Sequence, residues 1–233
     1  MHLLDNPIWN ALNTRQENLA EKNELARRFP PQVTTLAAFA EPNDCAYAAL
    51  ARLLQATPGA LFLHSRSDFP AEGWQLLRER VLVQMVYENG IRPAVQHDWV
   101  ALGAADVPEM MALAELTQPG PFGPRTYQLG TYLGVRKEGK LVAMVGERLR
   151  VPGFAEISVV CTHPEHAGQG YAGSLMAVLI ERMRSQAETP FLHVAGENAR
   201  AIALYERLGF RRRAEFQLAV LQSEPALADE TRT

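Results

Sequence analysis

The chain has 233 residues, 47% hydrophobic and 21% charged, with a formal net charge of −3 and two cysteines. That apolar share excludes a disordered chain, and the slight acidity excludes a duplex-binding surface built on surplus Lys and Arg. Cys45 and Cys161 cannot form a disulfide framework, and no four-ligand zinc spacing is present. The longest apolar run stops at Glu181, far short of the roughly 20 residues that a bilayer requires. The opening MHLLDNPIWN has neither the basic nor the apolar region of a secretory leader, so a soluble, cytoplasmic protein is expected.

The two halves read differently. Residues 1 to about 60 are rich in Ala and Leu at helical spacing, with Trp9, Leu12 and Leu19 followed by Ala48, Leu50, Ala51, Leu53 and Leu54. Phe29-Pro30-Pro31 breaks any helix between them. Residues 60–64 (ALFLH) and 80–87 (RVLVQMVY) read as strands. Asn89-Gly90 and Pro93 are the strongest loop signal in mid-chain, and a domain boundary is placed at about residue 95. This divides the chain into a first domain over 1–95, a second over 96–222 and a polar tail over 223–233.

The second half opens with a strand at 99–102, then Asp106 as N-cap of a helix over 107–116 with Pro108 in its first turn. A Gly/Pro-rich loop at 118–124 precedes three strands, 132–137, 141–149 and 156–161, joined by turns at Lys137-Glu138-Gly139-Lys140 and Val151-Pro152-Gly153. An amphipathic helix follows over 172–185, then a buried strand over 191–194. A helix over 199–208 starts at Asn198 and ends at Gly209, and Ala214, Phe216, Leu218 and Val220 alternate as a last strand. LVQMVYENG (82–90) matches LVAMVGERL (141–149), either as equivalent strands of a duplicated unit or by chance.

The chemistry concentrates in residues 156–173, EISVVCTHPEHAGQGYAG, where a strand runs into a glycine-bearing loop that opens onto a helix. Such a junction aims free backbone N–H groups and the positive end of the helix dipole at one spot, which suits a pyrophosphate. Gly168, Gly170 and Gly173 are expected to let the backbone approach it without an intervening Cβ. The same loop also serves as a plain tight turn. Residues 168–173 fit the dinucleotide G-x-G-x-x-G pattern, but the strands before them form a meander rather than a parallel crossover, and no G-x-x-x-x-G-K-[ST] is present.

From about residue 98 to 221 the chain resembles the GNAT superfamily of acyl-coenzyme A-dependent N-acyltransferases. The resemblance is carried by Gly168-Gln169-Gly170-Tyr171-Ala172 after V-C-T-H-P-E-H, and by Asn198, Ala201, Leu204, Tyr205, Gly209 and Phe210 in the pattern N-x-x-A-x-x-L-Y-x-x-x-G-F. It implies an α+β fold, a mixed, mostly antiparallel splayed sheet flanked by helices. The preceding smaller α/β domain becomes a degenerate GNAT-like unit if the duplication is real, and the layout is similar to glycine N-acyltransferase-like proteins. It also implies acetyl-coenzyme A as co-substrate, a small-molecule amine as acceptor, and no metal or nucleic acid. The backbone of Val160, Cys161 and Thr162 is expected along the pantetheine. Gly168, Gln169, Gly170, Tyr171, Ala172 and Gly173 are expected at the pyrophosphate, and Asn198 at the pantetheine arm, where it also serves as a helix cap. Ala167 stands where the family carries a basic or amide side chain.

Tyr205 and Glu156 are the catalytic candidates. A phenol of reference pKa about 10 aids departure of a thiolate when held close to it; the alternative is a core tyrosine packed on Phe210. Glu156 either relays a proton from the substrate ammonium or opens its strand at the solvent edge, and Glu147 is the reserve base. Cys161 reads as a small buried residue, His163, His166 and His193 as weak metal ligands, and Arg125 as a solvated loop residue or a grip for a carboxylate. The rival to an enzyme is an acyl-coenzyme A-binding module without turnover.

Overall fold

The computed structural model describes residues 2–54, 61–65, 73–89 and 97–223. The first half contributes helix α1 (Pro7–Leu12), strands β1 (Glu21–Lys22), β2 (Ala26–Arg28) and β3 (Leu36–Phe39), helix α2 (Asp44–Leu54), and strands β4 (Leu61–Ser65) and β5 (Trp74–Tyr87). The second half runs β6 (Val100–Leu102), α3 (Val107–Thr117), β7 (Tyr132–Lys137), β8 (Lys140–Val151), β9 (Phe154–Thr162), α4 (Tyr171–Ser185), β10 (Thr189–Ala195), α5 (Ala199–Arg207) and β11 (Phe210–Ser223). The expected elements of the second half all form. The loop and boundary expected over 90–95 lie outside the described residues, as does the tail beyond Ser223.

Both halves build one sheet, in the order β1-β2-β3-β4-β11-β5-β10-β9-β8-β7-β6. Among the described residues only β3–β4 and β9–β10 are parallel, which matches the mixed, mostly antiparallel expectation. Strand β5 lies between β10 and β11, antiparallel to both. The two similar segments thus flank the parallel pair, β5 beside β10 and β8 beside β9, each antiparallel to its neighbour.

Helices cover the two faces because alternate strand residues face opposite sides. On one face, α4 (Leu175, Met176, Leu179, Met183), α5 (Ile202) and Leu208 just after it pack on Val145, Ile157 and Leu192. On the other, α3 (Met110, Leu113) covers Tyr132, Met144 and Cys161, while α1 (Ile8, Leu12) covers Leu149, Val151 and Phe191.

Three readings of the fold need correction. Strands β1 to β3 form where Phe29-Pro30-Pro31 promised only a break; they are short and add to an existing sheet edge, so pairing rather than propensity decides them. Strand β5 begins at Trp74, not at residue 80, because β11 pairs along its whole length. Asp106 is the N-cap residue of α3 as expected, but its carboxylate makes no cap bond to the helix: it accepts the Gly103 N–H (2.9 Å) of the preceding 3-10 turn and an Arg136 nitrogen of β7 (2.6 Å).

Candidate active site

Strands β9 and β10 pair only from Phe154 to Glu156, where Phe191 is opposite Glu156. Beyond that rung β9 stays paired with β8 and β10 with β5, but not with each other, and a V opens between them. Strand groups that face such a gap need partners, which an extended ligand supplies. Val160, Cys161 and Thr162 lie on β9 beyond the last rung that it shares with β10.

A bulge shapes this strand. Gly146 is opposite Ser158 and Met144 opposite Cys161, so two β9 residues, Val159 and Val160, face the single Val145. Val159 has φ +55°, a left-handed conformation that is an outlier for a β-branched residue. The extra residue breaks the ladder at mid-strand, where its backbone becomes available to a ligand. Nothing in the sequence signalled this, since valine is the wrong residue for that conformation.

At the end of β9, a 3-10 turn (Pro164–His166) leads into Gly168 and Gly170, both in the left-handed region at φ +81° and +82°. Gly170 is the N-cap of α4 and has no side-chain oxygen to occupy the first N–H groups of the helix. A Cβ on Gly168 would meet nothing within 4 Å, so the cradle is open on that side.

Gly173 differs from these two, and the expectation that it clears a path for the phosphate needs correction. It is the third residue of α4, inside the helix and outside the left-handed region. A Cβ there would point to Leu204 of α5, at an ordinary contact distance of 3.9 Å, so the missing side chain faces a neighbouring helix. What Gly173 offers the cradle is its N–H, one of the helix's first four without an intrahelical acceptor, and any residue type would offer the same. The G-x-G-x-x-G spacing therefore overstated the loop: two glycines are required by conformation and the third is not.

Residues 167–170 are exposed, whereas Tyr171 is buried and its hydroxyl donates to Gln169 Oε1 (2.7 Å). His97 Nε2 donates to the Gln169 carbonyl (2.9 Å), and its ring stands edge-on to the Tyr171 ring at 4.5 Å. The Lys137 ammonium lies 5.6 Å from the centre of the same ring. Neither residue was singled out, because neither is near this loop in sequence.

Helix α5 completes the arrangement. Asn198 accepts the Ala201 N–H (3.0 Å), so the expected cap forms and leaves its amide NH2 for another partner. The buried ring of Tyr205 stands edge-on to Phe210, and its hydroxyl makes no hydrogen bond among the described residues. Burial and the neighbouring Cys161 push its pKa up to about 12. The ring is packed on Phe210 as the core reading expects, and its hydroxyl is uncommitted among the described residues. Burial likewise pushes the Cys161 thiol up to about 11, against a Thr117 hydrogen bond, which leaves it protonated and a poor acyl carrier.

Glu156 is not at a solvent edge. It is completely buried, with Arg148 donating to both oxygens (2.9 and 2.6 Å) and His193 Nδ1 2.7 Å from Oε1. Burial alone would raise its pKa, but Arg148 and then His193 outweigh it and hold the carboxyl well below the usual range. Such a carboxylate is a weak base, contrary to the proton-relay expectation. His193 Nε2 faces the Gln84 amide nitrogen at 3.0 Å, which leaves its hydrogen on Nδ1 to be donated to Glu156. Gln84 Oε1 in turn accepts from Arg213 (2.7 Å), which also pairs with Asp5 (2.6 Å). This network starts on β8, crosses the closed end of the V and ends in the first half of the chain.

The remaining candidates are elsewhere. Glu147 is buried beside Gly130, with one oxygen taking the Thr131 N–H (3.1 Å). Arg125 is exposed and donates to Gln128. Among the described residues no group of three His, Cys, Asp or Glu side chains is placed to hold a metal ion, and no helix is long and apolar enough to cross a membrane.

The comparisons agree with this geometry. The family model for FR47-like proteins matches residues 132–218. A crystal structure from Novosphingobium aromaticivorans, described as an acetyltransferase of the GNAT family, is 41% identical over 97% of this chain and all of its own, with a TM-score of 0.88. A GCN5-related N-acetyltransferase from Kribbella flavida, 17% identical, covers 96% of this chain and 98% of its own at a TM-score of 0.61, a likeness of fold. Mycothiol acetyltransferase from Brachybacterium faecium is 34% identical over 120 residues, which is 48% of this chain and 36% of that protein. The chain thus spans about a third of that curated relative.

A forked, mostly antiparallel sheet with a glycine-capped helix start at the mouth of the fork is the acetyltransferase fold that these structures share. The chain belongs to the GNAT family.

Proposed function

We propose that the protein transfers an acetyl group from acetyl-coenzyme A to the primary amine of a small, amino-acid-like acceptor. The carrying observation is the V between β9 and β10, which opens beside a helix N-terminus capped only by glycine. Acetyl-coenzyme A would lie against the backbone of Val160, Cys161 and Thr162, with N–H groups of residues 168–173 at its pyrophosphate and the Asn198 amide at its pantetheine arm. It supplies a thioester carbonyl and a thiol leaving group.

The chain's own groups supply the rest. The Val160 N–H at the bulge stabilises negative charge on the carbonyl oxygen as the amine attacks. The Tyr205 hydroxyl, still protonated at any working pH with a pKa near 12, donates its hydrogen to the departing sulfur and regains a proton from solvent after the thiol leaves. Glu156 is a positioning residue that ties β9 to β10 at the closed end of the V, and the ammonium proton passes to solvent.

Release of free thiol from acetyl-coenzyme A with a panel of amines and amino acids tests the reading, with Tyr205→Phe as the diagnostic variant. The substitution keeps the ring, so melting temperature and coenzyme A affinity should hold while kcat falls about 10²–10⁴-fold. An acyl donor with a more acidic leaving thiol should narrow that loss. An unchanged kcat in a folded variant assigns the proton to water. Stabilisation by coenzyme A without thiol release for any amine would make the protein a binding module. No melting shift at millimolar coenzyme A would remove the cofactor itself, since occupancy at a hundredfold excess over Kd is worth about 2.7 kcal/mol.

A further inference from the structure

The pyrophosphate cradle lacks a side-chain cation at the position where this family usually carries a basic or amide group, since residue 167 is alanine. Gln169 is held by the Tyr171 hydroxyl at its Oε1, which leaves the loop only the neutral amide NH2 of that side chain. The N–H groups of residues 168–173 and that amide carry no full charge to set against a doubly charged pyrophosphate. One cation stands close by: Lys137, at the end of β7, holds its ammonium 5.6 Å from the Tyr171 ring, and Tyr171 is the first residue of α4. Lys137 is exposed and makes no ion pair among the described residues, whereas the adjacent Arg136 is committed to Asp106 and Glu109. Tyr171 is fixed in turn by burial, by its bond to Gln169 and by the His97 ring. An ammonium resting against a fixed aromatic ring has fewer positions to lose on binding than a free lysine.

We propose that Lys137 is the phosphate-binding cation of this cradle, positioned on Tyr171 and supplying to the pyrophosphate of coenzyme A the charge that position 167 does not. The assignment rests on the coenzyme A reading above and names a residue from a different strand hairpin. It favours the pyrophosphate over the 3′-phosphate because the ring that holds Lys137 belongs to the first residue of the helix whose N–H groups face the cradle.

Calorimetric titration of the full chain with coenzyme A and dephospho-coenzyme A tests it. Lys137→Gln should raise Kd for coenzyme A about five- to tenfold at low salt, flatten the salt dependence of binding and leave the melting temperature of the free protein unchanged. The same ratio should appear with dephospho-coenzyme A, which lacks only the 3′-phosphate. Lys140→Gln, the same charge change in the same turn, should shift Kd less than twofold, and Ala167→Arg should restore affinity in the Lys137→Gln background. Equal effects of the two lysine variants would reduce the result to general surface charge and overturn the assignment. So would a ratio that vanishes with dephospho-coenzyme A, which would place Lys137 on the 3′-phosphate. Wild-type affinity in Lys137→Gln overturns this inference alone; a wild-type protein that does not bind coenzyme A overturns the cofactor reading as well.

Discussion

Strand β9 is held in two different ways along its length. From Phe154 to Glu156 it is paired on both sides and pinned by a buried ion pair, with Arg148, Glu156 and His193 saturating one another. From residue 157 onward it loses one neighbour, gains a bulge at Val159 and leads through a loop into α4, whose N-terminus has no side-chain cap. The lower segment spends its polar groups on the fold, and the upper segment leaves backbone groups without a strand or side-chain partner. The difference separates two uses of polarity that look alike in sequence: a glutamate in the pinned segment is consumed by an ion pair, while a glycine in the open one leaves helix N–H groups bare.

Substitutions that violate this division should show it. The largest effect is expected at the open end, where Gly170→Val puts a β-branched side chain at φ +82° and against the anion's approach. Coenzyme A affinity should fall by at least about a hundredfold, the equivalent of a few charge-assisted hydrogen bonds, while the circular dichroism spectrum keeps its folded form. Unchanged affinity would mean that the loop is only a turn.

The pinned end should respond in stability instead. Glu156→Gln leaves the buried Arg148 without its counter-charge, which should cost about 3–5 kcal/mol in denaturant unfolding near neutral pH. Because the folded carboxyl lies below its ordinary value near 4.5, its contribution is complete above that pH and is lost as pH falls through the lowered folded value. The gap between wild type and variant should therefore narrow steadily in acid below about pH 4.5. A gap independent of pH would show that Glu156 stabilises by shape and not by charge.

The smallest effect tests the packing that backs the bulge. A Cβ on Gly146 would come within 2.1 Å of the buried Tyr132 ring, so Gly146→Ala must displace an aromatic side chain and should cost about 1–3 kcal/mol. A variant as stable as wild type would show that this region relaxes freely, and a strained Val159 would then need another support.

Much of the second half was legible before any coordinates, for local reasons. The helices over 107–117 and 171–185 follow apolar spacing, and Asn198 and Gly209 bound α5 as a cap oxygen and a left-handed residue, the latter at φ +98°. The first half was less legible. Strands as short as β1 and β2, rich in charged residues, form only because a neighbouring strand is already there. The split of the chain near residue 95 gave no hint that β5 lies within the second half's sheet and carries Gln84 to His193.

What the sequence by itself determined are features that one stretch of chain can impose. Gly168 and Gly170 allow a left-handed turn, an uncapped helix start presents N–H groups, and the N-x-x-A-x-x-L-Y-x-x-x-G-F run places a tyrosine on the buried face of a capped helix. The tertiary structure alone decided what those groups would meet. Gly173 read like the other two glycines, yet its bare face is turned to Leu204 on α5 and not to the cradle. Glu156 read equally well as a proton relay or as a solvent-edge residue, and it is neither, because Arg148 comes from β8, His193 from β10 and Gln84 from β5. Lys137 reaches the Tyr171 ring at the start of α4 only because the β7–β8 turn ends beside that helix. A side chain's charge state and task depend on its neighbours within a few ångströms, and in a sheet those neighbours are set by long-range strand pairing that no local pattern encodes.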